Sequence, residues 1–144
     1  IQAIRQSDRL LQATWDKDEE KVAAGIDGVH EANTSILKYN DENALSCVIT
    51  LAYYNAANDY TLVREMPAGR GYADIVFLPR KYSDKPAMVV ELKYDQSAEG
   101  AIRQIEEKNY AKALEEYKGN VLLVGINYDK ETKKHSCVIR EWGK

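Results

Sequence analysis

The sequence predicts an α/β domain with a mixed central sheet that is flanked by helices. Three short apolar runs, Tyr60 to Met66, Tyr72 to Leu78 and Ala87 to Tyr94, are separated by polar turns and predict a meander of three consecutive strands. Two further apolar runs, Asn120 to Asn127 and Ser136 to Trp142, follow a stretch with helical spacing and predict two more strands. This order of strands and helices is typical of one α/β unit.

The residues before the sheet predict a helical lead-in over positions 1–38. Apolar side chains recur among charged ones between Ile1 and Glu20, as in an amphipathic helix, at Ile4, Leu10, Leu11 and Trp15. Gly25 and Gly28 are expected to end this pattern, because glycine is unfavourable inside a helix.

A second helix is predicted to begin at Asp41, which suits the N-cap position, and to run through Ala57. Glu42 falls in its first turn, where the helix dipole favours an acid by about 0.3–1 kcal/mol. The same position also allows an acid to face a neighbouring sheet. Both interpretations of Glu42 stay open on these grounds.

Polar turns are predicted from Pro67 to Gly71 and from Lys81 to Pro86. After the third strand, a helix is predicted to open at Ser97 or Ala98 and to end by Gly119. Its apolar side carries Ile102, Ile105, Tyr110 and Leu114. The fourth strand contains VLLVGI, a continuous apolar run of the fully buried kind, whereas the last strand alternates as an edge strand does.

Length and composition bound the class of protein. A chain of 144 residues with 44% hydrophobic content predicts a single domain, with the lead-in 1–38 and a core 39–144. Because the chain begins at Ile1, we expect it to be part of a longer one. No apolar stretch approaches the ~20 residues that span a bilayer. Cys47 and Cys137 stand apart, without metal-ligand spacing, so a soluble cytoplasmic protein with no membrane partner is expected.

The charge is unevenly distributed along the chain. The net charge of -3 argues against a protein that binds nucleic acid through an overall positive charge. Residues 1–60 carry 5 Lys and Arg against 10 Asp and Glu, whereas residues 61–144 carry 15 against 13. Only the second part is suited to face a polyanion, although ordinary surface variation explains the asymmetry equally well.

Three charged residues stand inside two predicted strands, where unpaired charges are costly. Asp74 lies in GRGYADIVFLP, and Glu91 and Lys93 lie in MVVELKYD. Because side chains alternate along a strand, Glu91 and Lys93 share one face, and a turn near Ser83 would bring Asp74 opposite Glu91. Two carboxylates about 4 Å apart repel by roughly 4 kcal/mol at an effective dielectric of 20, and a cation between them reverses that sign.

This arrangement predicts a divalent metal site. Carboxylates and a backbone carbonyl form the oxygen shell that suits Mg²⁺ or Mn²⁺ rather than zinc, and His30 and His135 are remote from these acids in the sequence. An ammonium beside such a metal can orient a water or stabilise charge on a phosphoryl oxygen, which is the role predicted for Lys93. An ion pair between Lys93 and one acid is the structural alternative.

Four features follow one another between Tyr39 and Asn127: an acid in a first helical turn, then GRGYADIVFLP, MVVELKYD and AIRQIEEKNY. Because these four features occur together and in this order, the chain resembles the PD-(D/E)XK nuclease superfamily. It is most similar to the branch found after an AAA-type ATPase domain in bacterial proteins. The resemblance implies a restriction-endonuclease-like core for the predicted sheet and helices.

The resemblance also implies roles for the charged residues of the two strands. Asp74 corresponds to the metal-binding aspartate of the family, and Glu91 to the acid of its Glu-x-Lys element. The carbonyl of Leu92 would complete the inner metal shell. Lys93 would be the catalytic lysine.

Further site residues are implied outside the strands. Glu42 matches the helical acid that reaches the metal directly or through water, and Gln104 matches a catalytic-site glutamine, with a solvated helix position as its alternative. Where related sequences carry Tyr four residues after the glutamine, this chain has Lys108, and its aromatic residue is Tyr110. Ala73 stands where the superfamily name records proline.

Candidate contacts to nucleic acid are basic. Arg70 is a turn residue or a phosphate contact, and Arg103 and Lys108 belong to a helix that can follow a nucleic-acid backbone. Glu106 and Glu107 beside them favour a solvated helix instead.

Together these observations predict a metal-dependent nuclease that hydrolyses phosphodiester bonds of DNA, or as a second choice RNA, with Mg²⁺ or Mn²⁺ as cofactor. The resemblance implies an upstream AAA-type ATPase domain as partner, and a homo-oligomer stays open. The alternative is a catalytically inactive nucleic-acid-binding or regulatory module. A third hypothesis is an assembly scaffold in which Tyr53, Tyr54 and Tyr60 line a partner surface.

Overall fold

A computed structural model describes residues 2–32, 49–50, 53, 56, 59–68, 71–80, 84–108 and 121–142. Within these residues the chain forms the elements α1 Gln2–Trp15, α2 Glu19–Ala32, β1 Tyr60–Ala68, β2 Gly71–Pro79, β3 Ala87–Tyr94, α3 Ala98–Lys108, β4 Val121–Asp129 and β5 Lys134–Trp142.

The strands form one five-stranded mixed sheet in the order β1-β2-β3-β4-β5. β1, β2 and β3 pair antiparallel, as predicted for the meander, and β5 pairs antiparallel with β4 at one edge. β3 and β4 are parallel, and α3 lies in the connection between them. A parallel pair needs such a crossover, because a tight turn can join only antiparallel strands. The predicted α/β class and mixed sheet are therefore confirmed.

The two faces of the sheet pack against different helices. Even-numbered residues of β3, including Val90 and Leu92, join the apolar core beneath α1 and α2. The odd-numbered Val89 joins a second core with Ile102 and Ile105 of α3. We call this second surface the α3 face; it also contains Val76, Leu123 and Val138. The alternation of a strand thus assigns odd positions of β3 to the α3 face.

The prediction that Gly25 and Gly28 end the first helical segment is wrong. α1 ends at Trp15, and both glycines lie inside α2. A Cβ at Gly25 would meet the Cδ1 of Leu10 at 3.0 Å, so the glycine allows α1 and α2 to approach closely. Packing between the helices therefore outweighs the low helix propensity of glycine.

The first predicted turn is shorter in the structure. Pro67 pairs with Tyr72 and Ala68 with Gly71, so the strands continue into the segment predicted as turn. The third strand has the bounds that its apolar run predicts. Strand pairing extends here to residues whose composition alone is typical of turns.

Tyr53 and Tyr60 belong to the core, and the hypothesis that they line a partner surface is wrong. Tyr53 is 1% exposed and shares a 2.8 Å hydrogen bond with the hydroxyl of Thr14. Tyr60 is fully buried and donates to the carbonyl of Pro86 at 2.7 Å. Each hydroxyl has a partner, which is what allows a tyrosine to be buried. Tyr54 lies outside the described residues.

Most of the helix predicted from Asp41 to Ala57 also lies outside the described residues, although Ile49 and Thr50 are helical. Cys137 is buried, and its burial raises the pKa of the thiol to about 12, which keeps it unreactive. Cys47 is outside the described residues. In the part of the chain that the structure describes, no helix has the length and apolar character required to cross a membrane.

Carboxylates of α2 bind the outer edge of β5. The Oδ1 of Asp27 accepts a hydrogen bond from the backbone N of His135 at 2.8 Å and lies 2.6 Å from its Nδ1. The Oε2 of Glu19 accepts from the backbone N of Ile139 at 2.7 Å. The ring of His30 packs edge-on against that of His135 at 5.5 Å. These contacts attach the N-terminal helices to the sheet.

The stability of this attachment is expected to fall in mild acid. Burial lowers the pKa of both His30 and His135, although Asp27 opposes the shift. The unfolded chain therefore takes up protons near pH 6.5 that the folded chain does not. The histidine contribution is complete above that pH and is lost as the pH falls below it, by up to about 1.4 kcal/mol per pH unit for each histidine.

Urea unfolding at several pH values measures this dependence. The His135→Gln variant serves as the control, because the other titrating groups remain and only one histidine is removed. Its unfolding free energy is expected to depend less steeply on pH below about 6.5 than that of the wild type. Equal slopes would contradict the assignment.

Candidate functional site

The two acidic strand positions meet on the α3 face. Ile75 of β2 pairs with Val90 of β3 in an antiparallel register. Continued by one residue, this register sets position 74 opposite position 91. Opposite positions of antiparallel strands project to the same face and are about 4.5–5.5 Å apart. Glu91 is 1% exposed there, whereas the side chain of Asp74 lies outside the described residues.

Lys93 lies two residues after Glu91 and therefore projects to the same face. It is half-buried, so its ammonium is able to reach solvent or a ligand. Leu92 lies between them and turns its side chain into the core under α1 and α2. Its backbone carbonyl is its one oxygen that could bind a metal. The strand alternation predicted for this segment is confirmed, whereas the roles of the residues stay predictions.

The neighbouring strand β4 contributes a glycine and an amide beside these charges. In the parallel register Glu91 pairs with Gly125, and Lys93 with Asn127. A Cβ at Gly125 would lie 2.5 Å from the carbonyl oxygen of Ala98, a separation that real side chains do not show. The first turn of α3 therefore rests directly on β4 next to Glu91.

The turn between β3 and α3 is held by the end of β4. Asp95 has a left-handed backbone (φ 57), and its N donates to the carbonyl of Tyr128 at 2.6 Å. The next residue, Gln96, donates its backbone N to the Oδ1 of Asn127 at 2.9 Å and accepts from the Nδ2 at 3.3 Å. One buried side chain thus satisfies both backbone groups of Gln96.

α3 begins as predicted, with Ser97 as its N-cap. The Oγ of Ser97 accepts a hydrogen bond from the backbone N of Gly100 at 3.0 Å. Further along the helix, Gln104 is half-buried and Arg103 is exposed. Lys108 is the last residue of the helix.

Three other residues were predicted to contact the metal or the nucleic acid. The side chain of Lys108 and all atoms of Arg70 and Glu42 lie outside the described residues. The geometry therefore brings together the backbone positions of Asp74, Glu91 and Lys93, and leaves Glu42 and Arg70 as predictions from sequence.

The donor atoms of this site suit a hard cation. Glu91 offers a carboxylate on the α3 face, and carboxylate oxygens are ligands that hard divalent cations prefer. His30 belongs to α2, on the opposite face of the sheet, and His135 lies beside it. Neither imidazole is therefore available for a zinc site next to Glu91. Among the described side chains, no three His, Cys, Asp or Glu residues lie close enough to hold one metal ion. The side chains of Asp74 and Glu42 are not among those described.

Gly125 and Asn127 are the site-forming residues that the sequence analysis missed. A signal for Gly125 exists, since a glycine inside the apolar run VLLVGI is typical of a strand approached closely by another backbone. Asn127 had no comparable signal, because its partner Gln96 is 31 residues away in the sequence.

Comparison with known proteins gives a match to one family. A family model described as the PD-(D/E)XK nuclease superfamily matches residues 40–140. No curated protein matches the sequence. The matched segment includes all five strands up to residue 140, and the five-stranded mixed sheet with flanking helices is consistent with the restriction-endonuclease-like fold. Nucleases of this superfamily generally use divalent metals. Because the match covers well over half of the chain, the protein belongs to the PD-(D/E)XK nuclease superfamily.

Proposed function

We propose that this protein is a divalent-metal-dependent nuclease that hydrolyses phosphodiester bonds of DNA, with RNA as the second substrate class. The main support is the β2–β3 register, in which position 74 falls opposite the buried Glu91 while Lys93 shares its face. Two acids and an ammonium at one end of an apolar face are costly unless they pair with one another or bind a ligand.

In this proposal Asp74, Glu91, the carbonyl of Leu92 and Glu42 hold Mg²⁺ or Mn²⁺. The ion would supply Lewis-acid polarisation of the phosphodiester and lower the pKa of the attacking water. The Lys93 ammonium donates hydrogen bonds to that water and to a non-bridging phosphate oxygen, where negative charge grows in the transition state. In the hydrolysis the water oxygen would bond to phosphorus as the bond from phosphorus to a sugar oxygen breaks; the attacking water would give up one proton to solvent, and the leaving oxygen would take up one from solvent.

Basic residues around this site are proposed to position the polyanion. Arg103 is exposed on α3, and Lys108 ends the same helix. Arg70 follows β1 and precedes β2 in the sequence, and Gln104 is half-buried on α3, one position after Arg103. Each phosphate contact of this kind makes binding weaker at high salt.

The resemblance to the branch that follows AAA-type ATPase domains supports two further proposals. An ATPase domain precedes this domain in the full-length chain, and it is the partner that delivers the nucleic acid. The protein acts in the cytoplasm. A pull-down of the isolated domain with the ATPase domain expressed separately tests whether the two bind each other.

Cleavage assays test the proposed function. Single-stranded and duplex DNA, and the matching RNA, are incubated with wild-type protein in Mg²⁺, Mn²⁺ or a chelator. Cleavage of DNA with either ion and none with the chelator is the expected result. Nucleic acid bound without cleavage in all conditions would instead favour the inactive binding module.

Metal binding is tested separately from cleavage with Glu91→Gln, which keeps the size of the side chain and removes its charge. Mn²⁺ is expected to raise the melting temperature of the wild type, because a ligand of the native state stabilises it by about 2.7 kcal/mol at 100 times its Kd. This rise should be lost in Glu91→Gln. Glu131→Gln, in the exposed turn after β4, is the control and should keep the rise. An equal rise in all three proteins would contradict the role of Glu91.

A further inference from the structure

We infer that Asn127 is a positioning residue of the proposed active site, which fixes Lys93 and the first turn of α3 through the turn that joins them. The inference rests on the proposed function and adds to it a residue outside the acid and lysine motifs. Asn127 ends the apolar part of β4, is 5% exposed, and is the register neighbour of Lys93.

Both polar atoms of the Asn127 side chain bond to the protein itself. Its Oδ1 accepts from the backbone N of Gln96 at 2.9 Å, and its Nδ2 donates to the carbonyl of Gln96 at 3.3 Å. Because both ends of the amide are engaged by one residue, the side chain acts on the turn rather than on a substrate. A carboxylate, hydroxyl or methyl group at this position cannot make the same pair of bonds.

The turn that Asn127 holds contains a left-handed residue. Asp95 adopts φ 57, a conformation that aspartate tolerates better than most non-glycine residues and that remains less favourable than the right-handed one. The bond from the N of Asp95 to the carbonyl of Tyr128 and the two bonds from Asn127 to Gln96 are the contacts that impose it. The exposed pair between Lys130 and Asp95, at 3.8 Å, adds little.

Release of this turn would affect both sides of the site. Lys93 precedes Asp95 by two residues, and Ser97, the N-cap of α3, follows Gln96 directly. Without the amide, the body of α3 is still held on the sheet by the packing of Ile102 and Ile105 and by its contact with Gly125, so the change is confined to the turn between β3 and α3. We therefore expect Lys93 to lose its fixed position while the acids on the strands keep theirs.

A double-mutant cycle separates positioning from general damage. Asn127→Ala is expected to lower the single-turnover cleavage rate at saturating substrate by about 10- to 100-fold, with the Kd for Mn²⁺ unchanged within about threefold. In the Lys93→Ala background the same exchange should change the residual rate by less than about threefold, because it acts through Lys93. Multiplicative effects of the two exchanges would overturn the inference.

Two further variants keep the test independent of folding. Asn127→Asp retains an acceptor for the N of Gln96 and loses the donor to its carbonyl, so an intermediate rate is expected. Ser136→Ala removes the exposed register neighbour of Asn127 on β5 and should leave the rate unchanged. An Asp variant as slow as Ala, or a Ser136→Ala variant equally impaired, would overturn the role of the amide.

Hydrogen exchange gives a readout that needs no catalysis. Backbone amides of residues 96–101 are expected to exchange at least about tenfold faster in Asn127→Ala, whereas those of β2 are unchanged. Equal exchange in the two proteins overturns the positioning inference even if the nuclease is active. Lack of cleavage by the wild type, with faster exchange in the variant, would overturn only the proposed function.

Discussion

Lys93→Ala is expected to lower the rate of metal-dependent cleavage by about 10²–10³-fold, the usual cost of removing one donor from a charge that develops in the transition state. The variant should fold normally, because Lys93 is half-buried and its removal leaves a methyl group beside Asn127, its register neighbour on β4. It should also bind Mn²⁺, since the proposed ligands remain. Single-turnover rates and calorimetric titration measure the two effects.

Lys21→Ala provides the matched control for charge. The Lys21 side chain is 78% exposed on α2, which packs on the opposite face of the sheet, so its loss makes the same change in net charge far from the site. Its cleavage rate should equal that of the wild type. If Lys93→Ala cleaves as fast as Lys21→Ala, the catalytic role of Lys93 is wrong, and an inactive wild type would remove the nuclease proposal itself.

Gly125→Ala is expected to destabilise the fold by about 1–3 kcal/mol. A methyl group at this position would lie 2.5 Å from the carbonyl oxygen of Ala98 and 3.0 Å from the Cβ of Ala101. The first of these atoms is backbone, so α3 must move away from β4 to make room. Because the helix rests beside Glu91, cleavage should fall as well. Urea unfolding measures the stability, and cleavage assays under native conditions measure the second effect.

Gly28→Ala is the control for this exchange. Gly28 lies in α2, and a Cβ there would meet no atom within 4 Å. Alanine is the better helix former, so this variant should be more stable by about 0.5–1 kcal/mol. Equal effects of the two exchanges would mean that the contact between α3 and β4 does not limit the packing.

The fold could be predicted largely from the sequence because its strands are short apolar runs bounded by turn residues. The bounds of β3 and the start of α3 at Ser97 or Ala98 follow from the residue pattern alone, and the helix begins at Ala98. Gly25 was misread, because its contact with Leu10 depends on packing between helices that local propensity does not contain. The third hypothesis, in which Tyr53 lines a partner surface, fails for the same kind of reason, since the hydroxyl of Tyr53 finds its buried partner in the distant Thr14.

The candidate site divides in the same way. Strand alternation was sufficient to predict that Glu91 and Lys93 share one face. A turn centred near Ser83 predicts position 74 opposite Glu91, and the observed register agrees when it is continued by one residue. The contribution of Asn127 depends on a contact that spans the whole crossover, and no local pattern marks it. Sequence reasoning therefore found the charged groups and missed the uncharged residues that hold them in place.

The carboxylates of Glu19 and Asp27 have a consequence for contacts between molecules. They occupy the outward N–H groups of Ile139 and His135 on the edge strand β5. Free N–H groups at a sheet edge allow an extended chain from another molecule to add as a new strand, which is a common route to aggregation. Here the N-terminal helices already block that edge. Two copies can join their sheets through β5 only after α2 has detached from it.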